Sequence, residues 1–159
     1  MAARLFTFPD PVNEVSARLV AGGVVLMAVA TIALDLRWMT LVLAYGFLAR
    51  VLTGPKLSPL GQLVTRVVTP ALGLPAKEVP GPPKRFAQGI GFTFTGTAAL
   101  LTYAFDEFTA AKVLLGFLIV AAVLESVFAY CLGCKAFALL MKAGVIPETV
   151  CERCVASPA

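Results

Sequence analysis

Phe86 to Phe105 contains no charged residue, and twenty such residues coiled as an α-helix rise about 30 Å, the thickness of a bilayer's hydrocarbon core. In lipid the backbone must satisfy its own polar groups, and a helix does so within one segment. Three more stretches read alike. Val15 to about Leu36 is apolar except for Arg18 near its start and Asp35 near its end. After the turn Asp35-Leu36-Arg37-Trp38, in which Trp38 takes the place of an interfacial aromatic, Met39 to Leu52 returns as a short helix. From Val113 a fourth run reaches the first cysteine with Glu125 as its only charge. Composition agrees: 59% of the chain is hydrophobic, 14% is charged and the mean hydropathy is +0.90, against about half and about a quarter in soluble domains. The expected fold is an all-α integral membrane protein with four transmembrane helices, at about 15–36, 38–53, 86–105 and 110–131.

The connections fill in the rest of a single membrane domain over residues 1–159. Met1 to Glu14 carries prolines at positions 9 and 11, which forbid a regular helix there, and reads as a short surface arm without a cleavable signal. Ser58 can cap a helix that has Pro59 at its first position. Leu63, Val64, Val67, Val68 and Leu72 then recur at helical spacing, which suits an interfacial amphipathic helix over about 58–72. Gly73 to Pro83, with four prolines and two glycines, reads as a linker closed by Lys84 and Arg85. Small residues in the third span, among them Gly89, Gly91 and Gly96, permit close helix contact. A short helical, cysteine-rich tail over 131–159 completes the expected fold.

With four spans, every Lys and Arg except Arg37 and Lys112 falls on the side of the arm, the middle loop and the tail. The positive-inside rule then places both termini and all the cysteines at the cytoplasmic face. The formal charge of +4 is explained by that topology, with the lipid bilayer as partner and no nucleic acid required. Arg50, close to the end of the second span, is expected to snorkel to the headgroups, and Glu125 to be paired, protonated or facing water. An Arg50 or Arg85 pairing with Glu125 would fit a small transporter or an accessory subunit, working as a homo-oligomer or within a larger membrane complex.

The chemistry-bearing residues are the cysteines, spaced Cys131-x2-Cys134-x16-Cys151-x2-Cys154. This spacing suits a closed four-thiolate zinc site and equally suits two redox dithiols. With no histidine in the chain, metal binding would fall to thiolates, offset by Lys135, Lys142 and Arg153. In a reducing cytosol, thiols that cycle or bind metal are favoured over structural disulfides. The redox alternative turns on local structure: if the fourth span breaks near Gly133 and a new helix starts there, Cys131 sits at a helix N-terminus, where its thiolate is favoured. If the helix runs through, that activation is lost. Cys131 and Cys134 are the primary candidate pair, with Cys151 and Cys154 resolving it or completing the metal site.

Several segments together resemble the bacterial membrane family designated domain of unknown function 4395. They are Asp10-Pro11-x-Asn13, Gly46-Phe47-Leu48-Ala49-Arg50, Ser58-Pro59-Leu60, Pro82-Pro83-Lys84-Arg85-Phe86-Ala87-Gln88, Tyr130-Cys131-Leu132-Gly133-Cys134 and Val145-Ile146-Pro147-Glu148. The resemblance covers nearly the whole chain and implies a bacterial inner-membrane location. It brings no defined activity. By association it implies thiol or sulfur chemistry with thioredoxin-like or rhodanese-like sulfurtransferase partners.

Overall fold

A computed structural model describes residue 4 and residues 6–156. The parts of the expected arm and tail at 1–3, 5 and 157–159 lie outside the described residues. Four long helices form the body: α1 (Glu14–Ala33), α2 (Met39–Thr53), α5 (Gly81–Ala104) and α6 (Phe108–Phe128). Between α2 and α5 lie two short helices, α3 (Pro59–Leu63) and α4 (Thr69–Leu72). After α6 come α7 (Leu132–Lys142), a 3-10 turn at Glu148–Val150 and α8 (Glu152–Ala156). A two-residue antiparallel ladder pairs β1 (Val12–Asn13) with β2 (Glu78–Val79).

Helix α2 packs on α5, α1 on α6, and α5 on both α6 and α7. The core they enclose includes Val24, Ala28, Leu43, Phe47, Ala98, Leu115 and Leu118. Gly91 lets α2 come close, because a Cβ there would meet the Phe47 ring at 2.2 Å. Several of the buried polar residues are threonines that bond back into their own helix: Thr53, Thr95 and Thr102 each donate to the carbonyl four residues earlier. Buried hydroxyls thus stay satisfied.

The α1–α2 and α5–α6 hairpins turn alike, with Asp35 and Asp106 both in the left-handed region at φ 52°. Short polar side chains tolerate that region best. The two turns are cross-tied: Arg37 bonds Asp106 at 2.6 Å, and Lys112 bonds Asp35. At the other end Arg18 donates to the Ser126 carbonyl, at 3.1 Å, and to that of Val127, at 3.2 Å. These are orphan acceptors of the last turn of α6. Helices α1 and α6 therefore run antiparallel over their full lengths.

This architecture corrects the expected four transmembrane helices. Among the described residues only α1 and α6 are long and apolar enough to cross a membrane. Helix α2 has 15 residues, which rise about 22 Å, short of the hydrocarbon thickness. Helix α5 has the length, with 24 residues, but it starts at Gly81 rather than Phe86. It therefore takes in Lys84 and Arg85 beside its many Gly and Thr, and absence of charge in its later part overstated its apolarity. Pro82 and Pro83 open this helix, since proline is tolerated in a first turn whose N–H groups have no acceptor.

The expected interfacial helix over 58–72 is likewise not a continuous amphipathic element. Its ends are α3 and α4, and Val64–Val68 between them is a π-helical turn. Pro70 supplies the reason: it has no N–H, and its ring crowds the carbonyl four residues back, so the chain widens there. The segment is seated on α1, where the Ser16 and Thr69 hydroxyls lie 2.9 Å apart. The cysteine-rich tail is not one helical unit either, because its two cysteine pairs lie on separate elements.

Candidate thiol site

Helix α6 ends because Ala129 adopts the left-handed conformation at φ 55°, returning its N–H to the Leu124 carbonyl. Tyr130 follows, and Cys131 is extended at φ −87° and ψ 103°, which makes it the N-cap of α7. Its Sγ accepts from the Cys134 backbone N–H at 3.3 Å, and its carbonyl accepts from Lys135 N–H at 3.1 Å. Of the two alternatives left open by the sequence, a broken helix and a continuous one, the chain takes the break. A sulfur at this position faces the unpaired N–H groups of a first turn and the positive end of the helix dipole.

Two contacts fix this turn against the bundle. A Cβ on Gly133 would lie 2.5 Å from the Ala87 Cβ and 2.6 Å from its Cα, so the backbones of α7 and α5 approach through a glycine. One turn further on, Phe137 meets Phe86 with ring centroids 5.6 Å apart. Both cysteines of the pair carry free thiols; Cys131 is buried and Cys134 half-buried.

Lys84 and Glu125 are charges that act on both sulfurs. They form an ion pair with Nζ to Oε1 at 2.7 Å, and their side chains are only 7% and 15% exposed. The sequence reading left Lys84 as the end of a linker and matched Glu125 with Arg50 or Arg85. Arg85 instead donates to the Val51 carbonyl, at 3.0 Å. Arg50 is buried rather than snorkelled: it donates to Gln88 Oε1 at 2.9 Å and to Ser58 Oγ at 3.2 Å, and lies over the Phe47 ring at 4.4 Å. The Gly-Pro-Pro start of α5 was the signal that would have placed Lys84 on a helix, one that packs on α6.

These surroundings separate the two thiols. Cys131 is held below the ordinary thiol range, chiefly because the Cys134 thiol donates a hydrogen bond to it, with the Lys84 charge and the Cys134 backbone N–H also favouring its thiolate. Burial and the Glu125 charge oppose this. Cys134 is pushed up as the donor to Cys131, and burial adds to the shift. The charged form is thus favoured on Cys131 and the protonated form on Cys134.

Cys151 and Cys154 are disulfide-bonded to each other, with Cα atoms 5.3 Å apart. That removes the four-thiolate zinc site, one of the two alternatives that the spacing left open. Among the described residues no group of three or more His, Cys, Asp or Glu could hold a metal ion. The loop from Lys142 to Pro147 does not fold back to bring the two pairs into one tetrahedral cluster, and the second pair's sulfurs are already bonded.

A cavity of about 380 Å³ lies under the Cys131 turn, between α1, α5 and α6. Its walls are mostly aliphatic and aromatic, while Arg50, Gln88, Glu125 and Cys131 supply its polar groups.

Helical packing, two apolar helices and a capped dithiol define a helical protein with a cysteine pair of redox or structural use. The chain belongs to the family described as Domain of unknown function (DUF4395), whose model matches residues 12–142. The matched stretch includes Cys131 and Cys134 and ends before Cys151. Comparison with curated proteins and with solved structures gives no match.

Proposed function

We propose that this is a membrane-embedded thiol–disulfide exchange protein whose working pair is Cys131 and Cys134, acting on a thioredoxin-like or sulfurtransferase partner at the cytoplasmic face. The observation that carries the reading is the N-cap position of Cys131, with its sulfur 3.3 Å from the Cys134 N–H. In the forward step the Cys131 thiolate attacks one sulfur of the partner's disulfide, forming a mixed disulfide and releasing the other sulfur as a thiolate that takes a proton. Cys134 then loses its proton and attacks Cys131 Sγ. An intramolecular disulfide forms, the mixed bond breaks, and the partner leaves as a dithiol. The reverse sequence oxidises the partner.

Membrane placement is supported by the faces of α1 and α6. Only 33% and 22% of their most apolar windows are buried inside the chain. Core helices of a water-soluble protein bury far more, and exposed apolar surface of this extent calls for lipid or a partner chain to cover it. Antiparallel α1 and α6 put the thiol turn at the end that holds Arg18, Lys84 and Arg85, while Arg37 and Lys112 mark the other end. On the positive-inside rule the thiol end is cytoplasmic.

The test is exchange by purified protein with a small soluble disulfide, followed by mass spectrometry of alkylated peptides. A Cys131–Cys134 disulfide formed in step with substrate reduction supports the reading. Thiols that stay unreactive while the fold is intact contradict it.

A further inference from the structure

We infer that the apolar cavity under Cys131 takes the ring of a lipid-soluble quinone, and that this quinone is the electron acceptor that re-oxidises the Cys131–Cys134 dithiol. The inference rests on the exchange reading above, run in the direction that oxidises the partner, since that direction leaves Cys131 and Cys134 as a dithiol in need of an acceptor.

Four observations point the same way. The cavity, at about 380 Å³, falls within the range of small-molecule sites. Its rim includes Phe117 and Val120 of α6, which are 63% and 59% exposed on an apolar helix, so entry is from the hydrocarbon side. Its occupant is therefore an apolar molecule dissolved in the membrane. Of the two working cysteines, only Cys131 lines it, so the occupant and the nucleophilic residue are neighbours.

The polar groups at the closed end select a carbonyl compound. Arg50 takes the Gln88 amide oxygen, and among the described residues nothing accepts from the Gln88 amide N–H groups. They are free to donate to a ring carbonyl. Glu125, also on the cavity wall, connects through its ion pair to Lys84 and gives protons a charged group to cross. A lipid tail would fill the apolar part but would offer those donors no acceptor.

The chemistry balances without a further reagent. Cys131 Sγ forms a C–S bond to the quinone ring, and the ring's electron pair shifts to a carbonyl oxygen, which takes a proton. Cys134 loses its proton and attacks Cys131 Sγ. The S–S bond forms, the C–S bond breaks, and its electron pair stays on the ring, whose second oxygen takes the second proton. Two thiols lose two electrons and two protons, and the quinone becomes a quinol.

The experiment uses the full chain in lipid nanodiscs, reduced and freed of reductant, with a short-chain ubiquinone or menaquinone analogue as the probe. Quinol formation is followed by absorbance, and exchange with a soluble disulfide is measured on the same preparation. The expected result is one quinol per Cys131–Cys134 disulfide. In Ala121→Trp, which places an indole at the cavity wall, the ratio of quinone reduction to disulfide exchange should fall at least about tenfold. A second measurement does not depend on that variant folding: in the Cys134→Ser protein, saturating quinol should slow alkylation of Cys131. Exchange without quinone reduction, an unchanged ratio in the variant, or no protection by quinol would each overturn the quinone assignment while leaving exchange standing. Loss of both activities in the wild-type protein would overturn the exchange reading itself.

Discussion

The chain carries the same tetrapeptide spacing twice, at Cys131-x2-Cys134 and Cys151-x2-Cys154, and the two copies have come to different states. The second is closed as a disulfide at the start of a five-residue helix, after the last residue of the family match. The first is an open pair in which one sulfur caps an eleven-residue helix, next to a buried ion pair and over a cavity. Spacing therefore does not decide what a cysteine pair does. What differs is the surrounding structure: the first pair has neighbours that lower the pKa of one thiol and raise that of the other. The second bond links residues three apart and ties the tail to nothing else, as a crosslink inside one turn leaves the rest of the fold free.

The comparison is broken most severely at its nucleophile. Cys131→Ser should abolish exchange with a soluble disulfide, whereas Cys151→Ser with Cys154→Ser should retain most of it, as read from initial rates. Equal losses in the two would remove the distinction between the pairs.

The next largest effect is structural. Gly133→Val places branched carbon where a Cβ already lies 2.5 Å from Ala87, so α7 must separate from α5. Overpacking of this kind costs about 1–3 kcal/mol. A lowered unfolding midpoint, with Cys131 alkylated faster by a bulky maleimide, is the expected outcome.

The pH dependence of Cys131 alkylation sharpens the account further. Its rate should rise to a plateau at a pH below that of an ordinary cysteine, because its thiolate is favoured. Cys134→Ala removes the main hydrogen-bond donor and should move the midpoint up. Lys84→Met removes a positive charge and should also move it up, whereas Glu125→Gln removes a negative one and should move it down. Shifts of one sign for both members of the ion pair would point to a general loss of structure.

The smallest effect belongs to the second pair. Replacing Cys151 and Cys154 by serine should leave the unfolding midpoint of the helical body close to that of the unsubstituted chain, because the bond closes only a loop between residues three apart. Denaturant unfolding followed by circular dichroism measures it.

Much of this arrangement was legible in the sequence, but unevenly. The first apolar run predicted α1 almost to its ends, and the last placed α6. The end of α6 was not legible, because Val127 to Leu132 contains no Gly or Pro, and the stop comes from a left-handed alanine that no local preference announces. A cysteine as N-cap is equally silent, since the usual signal is Ser, Thr, Asp or Asn. In α5 the prolines read as linker were a helix start, so Lys84 was assigned to a loop and its ion pair with Glu125 went unseen. The zinc expectation followed from spacing alone, and spacing carries no information on whether two distant pairs meet. The π-turn at Val64–Val68 had a visible cause in Pro70, which the apolar periodicity outweighed.

The central claim is that Cys131 and Cys134 cycle between dithiol and disulfide. Its most direct test is an equilibrium titration of the full chain across thiol–disulfide buffers, with differential alkylation and peptide mass spectrometry at each potential. The account predicts a reversible two-electron transition at Cys131–Cys134 that is lost in Cys134→Ser and kept when the second pair is replaced by serine. A first pair that stays reduced at every potential, or a transition confined to Cys151–Cys154, would contradict it.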